Sequence, residues 1–224
     1  MKNCCLVRNF LLLLLAGGSI LLNRANAQKI ALNGYSSYVF EGGYNADYGT
    51  TDFLQGKTND GIQWGAGAEY RASDKYGIEA MYLHRYTHAR QQSKTDPLKQ
   101  INFNVGLNYL LTGINGYMQP DTKKIQAYGS LFAGIVVEHI DFPNNAINSS
   151  LTKFAWAVRL GGKYWLSERV GLRLQTQWTS FFVMDGGLPT VDVLGLNTGN
   201  ISFPIAYQFE VGTGLMVKLY PNGK

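Results

Sequence analysis

The chain has 224 residues, with 20 Lys and Arg against 15 Asp and Glu and a formal net charge of +5. Three basic residues, Lys2, Arg8 and Arg24, stand in the first 27 positions, which hold no acid, so the rest carries 17 basic against 15 acidic side chains, a surplus too small for a nucleic-acid partner. Both cysteines, Cys4 and Cys5, lie in the same segment and leave no thiol for a disulfide, a nucleophile or a metal in the remainder.

The first segment reads as a cleavable signal peptide. Lys2 and Arg8 form a positive start, Phe10 to Leu22 an apolar stretch centred on Leu11 to Leu15, and Ala25-Asn26-Ala27 a small-x-small cleavage pattern. The apolar stretch is shorter than the ~20 residues of a spanning helix. The expected division is therefore 1–27 signal peptide and 28–224 one domain, with Gln28 at the mature start. Beyond the leader no apolar run reaches about 18 residues, so no transmembrane helix is available.

The remainder alternates apolar and polar residues with period two, the mark of strands. In chain order the predicted strands are Lys29 to Phe40, Gly61 to Arg71, Tyr76 to Thr87, Gln100 to Leu111, Ile125 to Glu138, Lys153 to Trp165, Val170 to Phe181 and Ile205 to Tyr220. In the second, Ile62, Trp64, Ala66, Ala68 and Tyr70 share one face. In the fourth, Ile101, Phe103, Val105, Leu107, Tyr109 and Leu111 oppose Asn102, Asn104, Gly106 and Asn108. The connections alternate in length. Ala72 to Lys75 and Leu166 to Arg169 are tight turns, and Thr112 to Lys124 is a longer link on the same side. Glu41 to Asp60, His88 to Lys99, His139 to Thr152 and Phe182 to Pro204 are long and polar. A weak repeat at an offset of 94 residues relates Gly67 to Glu79 with Gly161 to Arg173, one hairpin each.

A soluble β-sandwich alternates too, with its apolar face inward; a small membrane barrel turns that face outward. Aromatic placement decides for the barrel. Tyr70, Tyr76, Tyr109 and Tyr164 fall on the apolar face beside the short turns. Trp64, Tyr82, Phe154, Trp156, Trp178 and Tyr207 fall on that face toward the long loops. Two aromatic bands around an aliphatic middle form the girdles of a bilayer-spanning wall. The fold expected is all-β: an eight-stranded antiparallel up-and-down transmembrane barrel with short turns in the periplasm. Its polar face fills the lumen, where charges must pair. Glu69, Glu79, Arg159, Arg173, Glu210 and Lys218 are the expected members of that network.

Gly65-Ala66-Gly67-Ala68-Glu69-Tyr70, the turn Ser73-Asp74-Lys75-Tyr76-Gly77-Ile78-Glu79, its echo Ser167-Glu168-Arg169-Val170-Gly171-Leu172, and the closing strand Gly212-Thr213-Gly214-Leu215-Met216-Val217-Lys218-Leu219-Tyr220 carry a resemblance. They resemble the small OmpA/OmpX-like outer-membrane barrels, especially the short Bacteroidota outer-membrane β-barrel domain proteins. The resemblance implies a bacterial outer-membrane location. The implied partners are outer-membrane lipids including lipopolysaccharide, the barrel-assembly machinery, and an extracellular ligand at the long loops. In that family the last strand commonly ends in an aromatic residue; here Pro221 to Lys224 follow Tyr220.

The three histidines, His84, His88 and His139, fall near the long loops, with Ser149, Ser150 and Glu138 close by. A lipid A-modifying enzyme would need such a His, Ser and acid to converge, but there is no G-x-S-x-G elbow. Asp47, Asp52 and Asp60 lack the ordered spacing of a calcium loop. The reading is a structural or interaction protein without catalysis, cofactor or metal. A narrow passive channel is the alternative, and a lipid A-modifying enzyme the third reading.

Overall fold

The computed structural model describes residues 30–46, 54–93, 100–121, 123–141, 149–182 and 206–219. Ten strands follow in order: β1 (Ile30–Val39), β2 (Gly42–Ala46), β3 (Leu54–Thr58), β4 (Gly61–Tyr70), β5 (Tyr76–Ser93), β6 (Gln100–Tyr117), β7 (Ile125–Asp141), β8 (Ser149–Trp165), β9 (Val170–Phe182) and β10 (Ala206–Lys218). The expected leader and the tips of the long loops lie outside the described residues.

Each strand pairs antiparallel with its neighbours, and β1 meets β10 from Ala31↔Lys218 to Val39↔Glu210, which closes the ring. Closure removes the sheet edges that a lipid environment cannot satisfy. β2 and β3 form a hairpin that continues β1 and β4 past short interruptions at 40–41 and 59–60. β3 bonds the far end of β5, and β2 meets β10 at Tyr44↔Ala206. Ten segments thus make eight staves, an eight-stranded barrel. Half of the link expected from Glu41 to Asp60 is thus wall, five residues in β2 and five in β3. β5 through β8, at 17 or 18 residues each, exceed the ~9–11 of a spanning strand and project past it at the loop end.

The two tight turns share one construction. Ser73 Oγ accepts from Lys75 N at 3.3 Å and Tyr76 N at 3.1 Å; Ser167 Oγ accepts from Arg169 N at 3.3 Å and Val170 N at 3.0 Å. A serine hydroxyl that satisfies two turn amides fixes the hairpin and with it the register.

Outward positions form an aliphatic belt: Ile114, Leu160 and Leu174 are 62%, 62% and 66% exposed. So continuous an exposed apolar surface suits acyl chains, not water.

β6 departs from its hydropathy. Val105, Leu107, Tyr109 and Leu111 are buried in the lumen, while Asn104, Gly106 and Asn108 face out. The placement of Tyr109 in an aromatic girdle is corrected accordingly: its ring is 1% exposed and its hydroxyl donates to Gln208 at 3.2 Å inside the barrel. The cause lies at Leu110-Leu111. Up to Tyr109 the apolar residues are odd-numbered; after the doublet Leu110-Leu111 the apolar Ile114, in phase with Leu110, is even-numbered, opposite Gly113 and Asn115. The hydropathy changes phase, but the backbone runs straight through to Tyr117, held by Gly116↔Tyr76 and Tyr117↔Tyr128. A strand cannot turn over without a bulge, so one half had to contradict its own pattern. The expected link from Thr112 accordingly shrinks to Met118–Lys124. At Gly134 of β7, a Cβ would overlap the Leu110 carbonyl oxygen and lie 2.9 Å from Leu111 Cα, so β6 and β7 approach too closely for any side chain there.

Candidate functional site

The lumen holds two layers. The lower one, toward the short turns, is built on Glu79 of β5. Its carboxylate accepts from Arg173 at 2.9 Å, Asn115 at 2.8 Å and Arg159 at 3.3 Å, and from the Tyr35 hydroxyl. Glu79, Arg159 and Arg173 are all fully enclosed. Arg159 Nε donates to Gln177 at 2.8 Å, and its guanidinium lies 4.7 Å from the centre of the Phe132 ring. Arg173 Nε donates to the Tyr128 hydroxyl at 3.0 Å. An ion in a closed interior is tolerated only when its remaining donors and lone pairs are also engaged, and this cluster engages nearly all of them.

One step down, Lys163 donates to both oxygens of Glu69 at 2.6 Å, and Tyr117 donates to the same carboxylate at 2.6 Å. At the mouth, Asp121 bridges Arg71 at 3.1 Å and Lys218 at 2.8 Å. Lys218 also lies 4.2 Å over the Trp165 ring. Burial works against the Asp121 carboxylate, but Lys218 and Arg71 outweigh it and hold its pKa below the usual aspartate value. A hollow of about 400 Å³ at this mouth is lined by Asp121, Lys123, Lys124, Trp165 and Lys218.

The upper layer is apolar. Leu83, Val105, Leu107, Tyr109, Val136 and Phe181 fill it, with the Tyr109 and Phe181 rings 6.3 Å apart, edge to face. Between the layers Glu210 accepts from Gln63 at 2.6 Å and Ser37 at 3.4 Å, without an ion-pair partner among the described residues. Arg85 is fully buried and donates to the Asn59 carbonyl; its Nε and Nη1 have no partner among the described residues. Beside the apolar layer Lys153 pairs with Glu138, its ammonium 5.3 Å from the centre of the Phe181 ring.

Of the six residues singled out for the lumen, Arg159 and Arg173 both meet Glu79, Glu69 and Lys218 meet other partners, and Glu210 has no ion-pair partner among the described residues. Lys163, Arg71 and Asp121 complete the pairs. The repeat held the signal for two of them. Glu69 and Lys163 are 94 residues apart, as are Glu79 and Arg173, so each glutamate binds its own counterpart in the second hairpin. The β4–β5 and β8–β9 hairpins are four staves apart in a ring of eight. Equivalent inward positions therefore face each other across the axis.

On the outer wall, Trp64, Tyr76, Tyr82, Trp156, Tyr164, Trp178 and Tyr207 are exposed and Tyr70 is half-buried. Ser150 is in register with His139 on the outside. Glu138 points inward, so it cannot share a site with His139: neighbours in a strand face opposite ways. Ser149's side chain lies outside what is described, as do Asp47 and Asp52. Among the described residues no group of three His, Cys, Asp or Glu could hold a metal.

No family model matches the chain, and no curated protein does. Solved structures do. Neisserial surface protein A aligns over 85% of this chain and 97% of its own, at 12% identity and a TM-score of 0.52. The outer membrane protein OprG from Pseudomonas aeruginosa aligns over 84% and 94%, at 16% identity and a TM-score of 0.50. At such identities the likeness concerns fold: this chain has the fold of the small outer-membrane β-barrels.

Proposed function

We propose that this chain is an integral protein of a Gram-negative outer membrane, of structural or interaction type, neither conducting nor catalytic. What carries the reading is a lumen stopped twice along its axis. The Glu79 clasp closes the lower level, and the packed layer around Leu107, Tyr109 and Phe181 closes the upper one. An ion on the axis would have to break buried, hydrogen-bonded ion pairs and then cross a closely packed apolar zone, each step costing several kcal/mol.

Lipopolysaccharide and other outer-membrane lipids are the proposed surroundings of the aliphatic belt and its aromatic bands. The barrel-assembly machinery is the proposed route of insertion, and the loop end faces outward to meet an extracellular ligand. Purified protein in planar lipid bilayers is expected to give a flat current trace. Steady single-channel steps would overturn the reading in favour of the narrow passive channel. The leader is proposed to end at Ala27, so the protein recovered from membranes should begin at Gln28 on N-terminal sequencing.

A further inference from the structure

The turn end of the barrel carries a hollow whose groups the closed lumen does not use. Two connections wall it: the link 118–124 between β6 and β7, and the turn 166–169 between β8 and β9. Each is tied down from inside. The fully buried Gln126 side chain donates to the Pro120 carbonyl at 3.2 Å and the Lys123 carbonyl at 3.1 Å, and Arg71 donates to the Gln119 carbonyl at 3.0 Å. Trp165 N donates to the Lys124 carbonyl at 2.8 Å, and Lys218 N to the Arg169 carbonyl at 2.7 Å, so link, turn and β10 hold one another in place. Walls set before a ligand arrives spare it the cost of ordering them.

Floor and rims differ in character. Trp165 and Lys218 are buried and make the floor, with the Lys218 ammonium 4.2 Å over the indole ring and 2.8 Å from Asp121. Gly171 lets the indole lie there, because a Cβ would stand 2.7 Å from its Cε3. One rim carries Lys123 and Lys124, both exposed; the other carries Leu166, 56% exposed, and the exposed Glu168. Neither lysine has an ion-pair partner among the described residues, nor has Glu168, whereas Asp121 is already shared between Arg71 and Lys218. The hollow thus offers two unspent cations on one rim, and an unspent carboxylate beside an apolar side chain on the other.

Size and charge select the ligand. About 400 Å³ lies at the low end of the ~300–1,000 Å³ of small-molecule sites, more than a bare anion fills and less than a folded partner needs. A phosphate ester would satisfy the lysines but meet repulsion at Glu168. A fatty acid would leave Glu168 without a partner. A ligand with a carboxylate at one end, an ammonium at the other and apolar side chains between them uses every group, and that describes a short peptide with free ends.

We propose that this hollow binds a short zwitterionic peptide, its carboxylate at Lys123 and Lys124, its amino end at Glu168 and an apolar side chain against Leu166. This rests on reading the chain as an outer-membrane barrel, which puts the turn end in the periplasm and makes the peptide a periplasmic one.

The test titrates the purified protein in detergent micelles with the tripeptide Ala-Leu-Ala by calorimetry. The peptide with both ends free should bind about tenfold more tightly than the same peptide amidated at its carboxyl end, because the amide brings no charge to the lysines. Lys123→Gln/Lys124→Gln should weaken the free peptide by about tenfold and erase the difference between the two forms. Glu168→Gln should weaken it by about threefold, and Lys75→Gln, on the other tight turn, should change nothing. All these positions are exposed, so each variant should keep its folded band in unheated gel electrophoresis. Equal affinity for the free and amidated peptides, no binding at millimolar peptide, or unchanged binding by the double lysine variant overturns the proposal. So does tighter binding of inorganic phosphate or glycerol 3-phosphate than of the peptide, which would assign the hollow to a bare anion or a lipid headgroup.

The periplasmic source is tested apart from the site. Lys124→Cys introduces the only thiol outside the leader, and a bulky, membrane-impermeant maleimide should reach it only after the outer membrane is permeabilised. Labelling in intact cells overturns the orientation and the periplasmic source, while peptide binding by the purified protein would stand. Labelling as expected with no peptide binding sinks the site alone.

Discussion

The two layers of the lumen solve one problem by opposite chemistry. Eight staves enclose a space only as wide as side chains, and every inward position must be filled or left as glycine. In the lower layer the filling is ionic. Glu69, Glu79 and Asp121 each hold one or two cations, and phenolic hydroxyls take up most of the spare bonding. In the upper layer it is apolar, with Leu107, Val105 and Phe181 around the Tyr109 ring. The difference teaches that polarity inside a narrow barrel is not fixed by its being an interior. What is fixed is volume: complementary ions and close-packed hydrocarbon both fill it, and Glu210 and Arg85, buried without an ion-pair partner among the described residues, are held by neutral groups, Gln63 and Ser37 for the one and the Asn59 carbonyl for the other.

The sharpest way to break the comparison is to unbalance the ionic layer. Glu69→Lys places a second ammonium against Lys163 and should cost at least ~3–5 kcal/mol, the range for a buried charge stripped of its partner. The folded band in unheated gel electrophoresis should vanish or unfold at much lower urea. Because the two positions are repeat equivalents across the axis, adding Lys163→Glu should recover at least half of the lost stability. Failure of that rescue would mean that the pair is not an independent unit.

The apolar layer should answer differently. Leu107→Ala deletes buried methyl groups without exposing a charge, so about 3 kcal/mol is expected, and no partner charge should rescue it. A loss as large as that of Glu69→Lys would show that the upper layer, not the ionic one, is the keystone of the fold.

The smallest effect belongs to the mouth. The Asp121 pKa is held below its unfolded value by Lys218 and Arg71, against the pull of burial. Its contribution is therefore fully present above the unfolded value near ~4 and is lost as pH falls through the lower folded value. Urea midpoints measured downward from pH 5 should decline, and Asp121→Asn should flatten that decline while leaving the two buried layers in place.

Much of this was legible before any coordinates. Ser73 and Ser167 head tight turns because a hydroxyl can satisfy turn amides locally, and the strands flanking them alternate cleanly, so their faces follow from period two alone. Glu79, Arg159 and Arg173 stand out as charges on inward faces. β2 and β3 were hidden because Gly42 to Thr58 is rich in Gly, Asn, Asp and Thr; their strand character comes from pairing with β5 and β10 rather than from local preference. Lys163 falls on the same inward face by alternation, and only its pairing with Glu69 was hidden, because the repeat reads as similarity when what it encodes is opposition: a glutamate in one hairpin, a cation in the other.

Alternation, turn chemistry and aromatic spacing are local properties. They set the strands, the two turns and the closed barrel whose exposed side is apolar. Which side of β6 is inside was decided by its neighbours, because a hydrogen-bonded ladder carries one facing along its whole length and the sequence of that strand asks for two. Tyr109 is in the lumen and Asn108 on the outer wall for that reason, and the partners that satisfy them, Gln208 and His84, come from strands that only ring closure and pairing bring alongside.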